Sequence, residues 1–84
     1  MYEVYLERAA QRDLKKLTVN QFHRIIPHLQ ELANNPRPFG CRKIAGSVDD
    51  WRVRVGGYRI VYEIADEAKI VKVMRVRHRA HIYR

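Results

Sequence analysis

The chain reads as an α+β domain: one strand, two helices, then three strands, a β-α-α-β-β-β order with both helices on one face of an antiparallel sheet. Three observations predict it. Apolar residues recur at helical spacing through residues 10–33, the segments from Trp51 onward are rich in β-branched and aromatic residues, and a Gly-Gly pair joins the first two of those segments. With 84 residues the chain has room for one hydrophobic core, so a single domain over residues 1–84 is expected.

Residues 2–6 alternate, with Tyr2, Val4 and Leu6 on one face of a short strand. Ala10, Leu14 and Leu17 then fall at helical spacing while Arg12, Lys15 and Lys16 turn outward. Thr18 followed by Gln21 matches a capping box, and Leu17 with Phe22 can staple the entry to a second helix. In that helix Phe22, Ile25, Ile26, Leu29, Leu32 and Ala33 share one stripe, which needs a sheet to cover it. Pro27 lies off the stripe and is expected to bend the helix without ending it. Residues 34–40, with Pro36, Pro38 and Gly40, stop it and open a loop. Segments 51–55, 58–64 and 70–76 read as strands of a meander, separated by Gly56-Gly57 and by residues 65–69.

Seventeen Lys and Arg oppose nine Asp and Glu, a net +8, and from Arg42 onward 11 basic side chains face five acidic ones, a net +6. The partner should be polyanionic and should meet the C-terminal half; nucleic acid leads, and an acidic protein segment follows. No basic amphipathic helix with large apolar anchors suggests a membrane surface. Cys41 is the only cysteine, so an internal disulfide and a cysteine-rich zinc site are excluded. Neither a signal-peptide run nor a span-length apolar stretch is visible, and a reducing, cytoplasmic home is expected.

The Gly-Gly turn sets a register: Val55 faces Tyr58, Arg54 faces Arg59, Val53 faces Ile60 and Arg52 faces Val61. Trp51, Val53, Val55, Tyr58, Ile60, Tyr62 and Ile64 then point to the face that receives the helices. Arg52, Arg54, Arg59, Val61 and Glu63 point to the other. Like charges directly opposite one another are destabilising, so Arg54 against Arg59 is a conflict the fold does not need. A phosphate between them resolves it through bidentate charge-assisted bonds; the competing reading is a solvated face with Glu63 as local counterion. Residues 75–84 add Arg75, Arg77, Arg79 and Arg84 with His78, His81 and Tyr83, while Ile82 and Tyr83 give this basic tail something to dock with. No carboxylate or thiol near His78 and His81 completes a metal site, so neither a metal nor a cofactor is expected. His23 and His28 read as surface or boundary residues.

Tyr2-Glu3-Val4, the run from Arg12 through Asp13-Leu14-Lys15-Lys16 to Leu17, Asn35-Pro36, and Lys43-Ile44-Ala45-Gly46 form an ordered set of motifs. Trp51-Arg52-Val53-Arg54-Val55-Gly56, Gly57-Tyr58-Arg59-Ile60-Val61-Tyr62, His78-Arg79 and Tyr83-Arg84 continue it. In order and spacing this resembles the RelE/ParE superfamily of bacterial and archaeal type II toxins over nearly the whole chain. The resemblance implies a microbial ribonuclease-like fold, an antitoxin encoded beside the toxin, and, for RelE-type members, metal-independent mRNA cleavage on the ribosome that inhibits translation. The 2′-hydroxyl attacks the adjacent phosphate in such a reaction. By motif match, Arg59 would stabilise the phosphorane, Arg79 would contact the phosphate and assist the leaving group, and Tyr83 would take the proton. His81 is the alternative base, since an ordinary tyrosine titrates near pH 10 and arginine neighbours must favour its phenolate. Lys43, Arg52, Arg54, Arg77 and His78 would hold mRNA or ribosomal RNA, and operator DNA would be met only through the antitoxin. Gly57 stands where an acidic residue is common, and Arg77 where glycine usually precedes the His-Arg pair. Two alternatives carry different signatures. A ParE-type inhibitor of DNA gyrase would leave Arg79 and Tyr83 expendable, and a non-enzymatic nucleic-acid-binding module would show salt-sensitive RNA binding without cleavage.

Overall fold

The computed structural model describes residues 1–78. β1 (Glu3–Leu6) leads into α1 (Arg8–Lys15) and α2 (Val19–Asn34), followed by β2 (Arg42–Lys43), β3 (Asp50–Val55), β4 (Tyr58–Ala65) and β5 (Ile70–His78). The strands form one five-stranded sheet in the order β1-β5-β4-β3-β2. Among the described residues no helix is long and apolar enough to cross a membrane.

Local chemistry fixes the element ends. The Thr18 hydroxyl accepts the Gln21 N–H at 3.2 Å, and the Gln21 side-chain oxygen accepts the Thr18 N–H at 3.1 Å, closing the expected capping box. α2 runs on through Pro27 to Asn34. At the β3–β4 hairpin Gly56 takes φ +60°, the left-handed first position of a type II′ turn. The register is the one the turn demands: Val55 opposite Tyr58, Arg54 opposite Arg59, Val53 opposite Ile60 and Arg52 opposite Val61.

Three features go beyond the expected order. The sheet is mixed: β2 to β5 pair antiparallel, but β1 lies parallel to β5, from Glu3 opposite Ile70 to Leu6 opposite Val73. The two helices form the crossover that parallel neighbours require, and the meander then brings β5 back alongside β1. β2 adds a short edge strand, with Arg42 opposite Arg52 and Lys43 opposite Trp51; two residues show no period in a sequence. β5 reaches His78, so Arg75 and Arg77 are strand residues.

A β-bulge in β5 decides where those two arginines go. On β4, Ile60, Tyr62 and Ile64 keep strict alternation and are all buried. On β5, Val71 and Val73 are buried, and continuing that alternation would send Arg75 and Arg77 into the core. Instead Tyr62 faces Val73 while Val61 faces Arg75, so Met74 is the extra residue. The phase reverses there, Val76 enters the core at 3% exposure, and Arg75 and Arg77 turn to the outer face.

The core lies between the helices and the inner sheet face. Ala10 and Leu14 of α1 and Ile25, Leu29 and Leu32 of α2 pack with Val53, Val55, Ile60, Tyr62, Ile64, Val71, Val73 and Val76. Each Leu or Ile so buried contributes about 1.5–3 kcal/mol relative to exposure. Phe22, expected on the stripe, stands at its margin with 38% exposure.

A polar staple closes one corner. Asp66, in the β4–β5 turn, accepts two hydrogen bonds from Arg37, at 3.2 and 2.8 Å, and one from the Tyr2 hydroxyl at 2.6 Å. The Arg37 guanidinium lies 5.0 Å from the Trp51 ring centroid. Beneath it the buried Tyr62 hydroxyl donates to the Pro36 carbonyl at 2.7 Å, and burial pushes that phenol well above its ordinary pKa. The loop between α2 and β2 is therefore tied to the chain's start and to the far turn at once.

Candidate nucleic-acid interface

Residues directly opposite in an antiparallel pair share a face, so the pairing table alone builds the outer surface. Arg54, Arg59 and Arg77 lie opposite one another across β3, β4 and β5. One step along, Arg42, Arg52, Val61 and Arg75 form a second row from β2 to β5. Two rows of arginine thus cross the sheet on the face the helices leave open, and the bulge at Met74 supplies the β5 member of each.

Between the rows lies a groove of about 420 Å³. Lys43, Arg52, Arg59, Arg75 and Arg77 line it, Val61 adds an apolar patch, and Ile44 and Ala45 complete the wall beside Lys43. Glu63 stands opposite Asp50 and Lys72 and meets the Lys72 ammonium at 4.0 Å. Among the described residues neither Arg52 nor Arg54 forms an ion pair with a carboxylate. The groove is suited to a chain of phosphates, which arginine grips through two parallel N–H bonds.

Asp13 is the one acid built into this region. It is 8% exposed on α1, and its Oδ2 accepts both Arg75 Nε and the Val76 backbone N–H at 2.9 Å, while Oδ1 accepts Arg75 Nη2 at 3.1 Å. Burial pushes the Asp13 carboxyl up, but the Arg75 and Val76 hydrogen bonds and the charges of Arg75 and Arg77 outweigh it and hold the group below the usual carboxylate range. The Val76 N–H needs this acceptor because β1 ends opposite Val73, leaving the β5 edge beyond it without a strand partner.

Of the residues singled out from the sequence, Lys43, Arg52, Arg59 and Arg77 come together in the groove. Arg54 belongs to the first row but borders a separate hollow with His28, Glu31 and Phe39. His78 does not line this groove: it lies opposite Tyr58, edge-on to that ring at 5.2 Å, and lines a neighbouring pocket with Arg75 and Arg77. Gly57 makes room for it, since a Cβ there would lie 3.0 Å from His78 Nε2. Arg79, His81 and Tyr83 lie outside the described residues. Sequence reasoning missed the groove role of Arg75 and its tie to Asp13, because strand alternation hides a bulge; the usable signal was Arg75 and Arg77 in phase with core-directed Val71 and Val73. Among the described residues no group of three or more His, Cys, Asp or Glu side chains could hold a metal ion.

A two-helix domain on a five-stranded mixed sheet, with a polycationic groove on the open face, falls in the class of small RelE/ParE-type toxins. The model of the ParE toxins of type II toxin–antitoxin systems matches residues 4–83. Toxin RelG of Mycobacterium tuberculosis is 36% identical, with 99% of this chain and 97% of that protein aligned. Among solved structures, RelE in the RelE–RelB complex from Pyrococcus horikoshii superimposes with a TM-score of 0.82 at 25% identity, covering 93% of this chain and 94% of that one. The isolated E. coli RelE toxin gives 0.80 at 26% identity, covering 93% and 84%. The chain belongs to the ParE toxin family and, within the RelE/ParE superfamily, is the toxin of a type II toxin–antitoxin system.

Proposed function

We propose that this toxin is a metal-independent endoribonuclease that cleaves mRNA on the ribosome and so inhibits translation. The observation that carries the reading is the convergence of Lys43, Arg52, Arg59, Arg75 and Arg77 on one groove of the helix-free face. A relaxed RNA strand threads the groove along its phosphates. The 2′-oxygen attacks the adjacent phosphorus, the P–O5′ bond breaks, and the products carry a 2′,3′-cyclic phosphate and a 5′-hydroxyl. Arg59 stabilises the charge that builds on the phosphorane, a type of interaction worth about 10²–10³ in rate where a single donor is removed. Arg79 remains protonated and steadies the departing 5′-oxygen by hydrogen bonding until water protonates it. Tyr83 takes the 2′-proton as a phenolate, a form that neighbouring positive charge favours, with His81 as the alternative base. No cofactor is required by this scheme.

The cognate antitoxin covers the same face with an acidic or amphipathic segment, relieving the arginine repulsion and closing the groove; operator DNA is reached only through it. A RelB partner in the P. horikoshii complex supports this assignment. The unfolding midpoint of the toxin should rise on adding antitoxin, as for any partner that binds only the folded state.

The ParE name of the family model favours a second reading, inhibition of DNA gyrase with Arg79 and Tyr83 expendable. One experiment separates them: mapping RNA ends in a translating extract without added metal, for wild type, Arg79→Ala and Tyr83→Phe. Ribosome-positioned cyclic-phosphate ends that disappear in Arg79→Ala support the nuclease, and Tyr83→Phe then decides the base. Intact RNA with gyrase inhibition preserved in both variants supports the second.

A further inference from the structure

Arg75 stands at the boundary between two hollows. It lines the RNA groove on the outer face and also a pocket of about 240 Å³ beside Asp13, Lys16 and Leu17 at the end of α1. Its guanidinium is gripped from that side: Nε and Nη2 donate to the two Asp13 oxygens, at 2.9 and 3.1 Å. Nη1 donates to none of the described residues, so part of the fork remains for a ligand. The arrangement is more than the fold requires. The Val76 N–H needs one acceptor and the buried Asp13 carboxylate needs donors, but neither need calls for a guanidinium that stays 40% exposed at the groove. Placing one more cation on a face where Arg59 already stands opposite Arg77 adds repulsion.

We propose that Asp13 is a positioning residue for the groove: it holds Arg75 in place, before any ligand arrives, as a further phosphate-binding side chain. The inference rests on the RNA-binding reading above and deepens it by adding a residue pair to the site. Asp13 offsets part of the local positive charge while orienting one guanidinium, so the side-chain ordering that binding demands is already complete for Arg75. α1 then does two things with one carboxylate. It closes the exposed edge of β5 and aims a phosphate ligand on the far face.

The test uses the full chain and a short single-stranded RNA carrying 2′-O-methyl groups throughout, which removes the nucleophile and leaves binding as the readout. Wild type, Arg59→Ala, Arg75→Ala, Arg75→Lys, Asp13→Asn and the Asp13→Asn/Arg75→Ala double variant are compared, each with its thermal midpoint. Arg75→Ala should weaken binding about tenfold, and Asp13→Asn and Arg75→Lys each about threefold, in keeping with charge-assisted bonds to phosphate. In the Arg75→Ala background, Asp13→Asn should change binding no further, although it lowers the midpoint. A purely structural Asp13 would instead weaken binding by the same factor in both backgrounds, which would overturn the proposal. Arg75→Lys leaves Asp13 in place and keeps the charge, so it reads positioning even where Asp13→Asn does not fold; wild-type affinity in Arg75→Lys would count against us. If Arg59→Ala loses binding while Arg75→Ala keeps it, the inference alone fails. If the wild type does not bind the RNA, the RNA reading falls and takes the inference with it.

Discussion

At the corner where β4 turns into β5, Arg37 meets the Asp66 carboxylate, which also accepts the Tyr2 hydroxyl, and the Trp51 indole face. On the outer face of β3, β4 and β5, Arg54, Arg59 and Arg77 instead stand opposite one another. The same side chain is used in two opposed ways. In the corner its hydrogen-bonding fork is matched within the chain, and the product is a fixed loop. On the open face like charges are placed in register at a cost to the fold, which is the arrangement expected of a surface that binds a polyanion.

Substitutions should therefore split cleanly, with those on the face costing activity and those in the corner costing stability. The largest effect should be Arg59→Ala, lowering mRNA cleavage by about 10²–10³ in protein that still melts cooperatively. Next, Tyr62→Phe strips the Pro36 carbonyl of its buried donor and should lower stability by about 1–2 kcal/mol in urea titration, leaving RNA affinity unchanged. A smaller effect belongs to Arg54→Ala: if it contacts one phosphate of a single strand, the log–log salt dependence of RNA binding becomes shallower by about 0.7. Loss of its cross-strand repulsion with Arg59 should at the same time add some tenths of a kcal/mol, about 0.2–0.5, to stability.

The smallest effect is in acid. Arg37 first, then Tyr2, holds the Asp66 carboxyl down at about 2, below the ordinary value of 3.8. A carboxyl depressed on folding contributes stability that is complete above its unfolded value and is lost as pH falls through its folded one. Asp66→Asn should accordingly lower the midpoint most near neutrality, where that contribution is complete, and least at about pH 2, where it is already lost, so that the fall in stability between about pH 4 and 2 is flattened. Asp13, lowered by Arg75 and Val76 against its own burial, should contribute to the same limb and with the same sign.

Much of this was legible because it is local. The Gly56-Gly57 turn specified the β3–β4 register residue for residue, and with it the Arg54–Arg59 opposition. Thr18 and Gln21 announced the start of α2. What could not be read depends on residues distant in the chain. Asp13 meets Arg75 across 62 positions, and Tyr2 meets Asp66 across 64. β1 is parallel to β5 because the meander brings β5 back alongside it, a tertiary outcome with no periodic mark. The bulge at Met74 is subtler, since the alternating pattern that normally reveals a strand's buried face assigns Arg75 and Arg77 to the wrong side after it. The end of that strand was also hidden: the sequence segment stops at residue 76, whereas β5 continues to His78, whose ring meets Tyr58 edge-on.

The most direct measurement is a backbone amide NMR titration of the toxin with the 2′-O-methyl RNA, read residue by residue. The account predicts shifts concentrated at Lys43, Arg52, Arg59, Arg75 and Arg77, with Tyr2, Arg37 and Asp66 silent. Shifts centred on the corner instead, or spread evenly over both regions, would contradict the assignment of the open face as the RNA site.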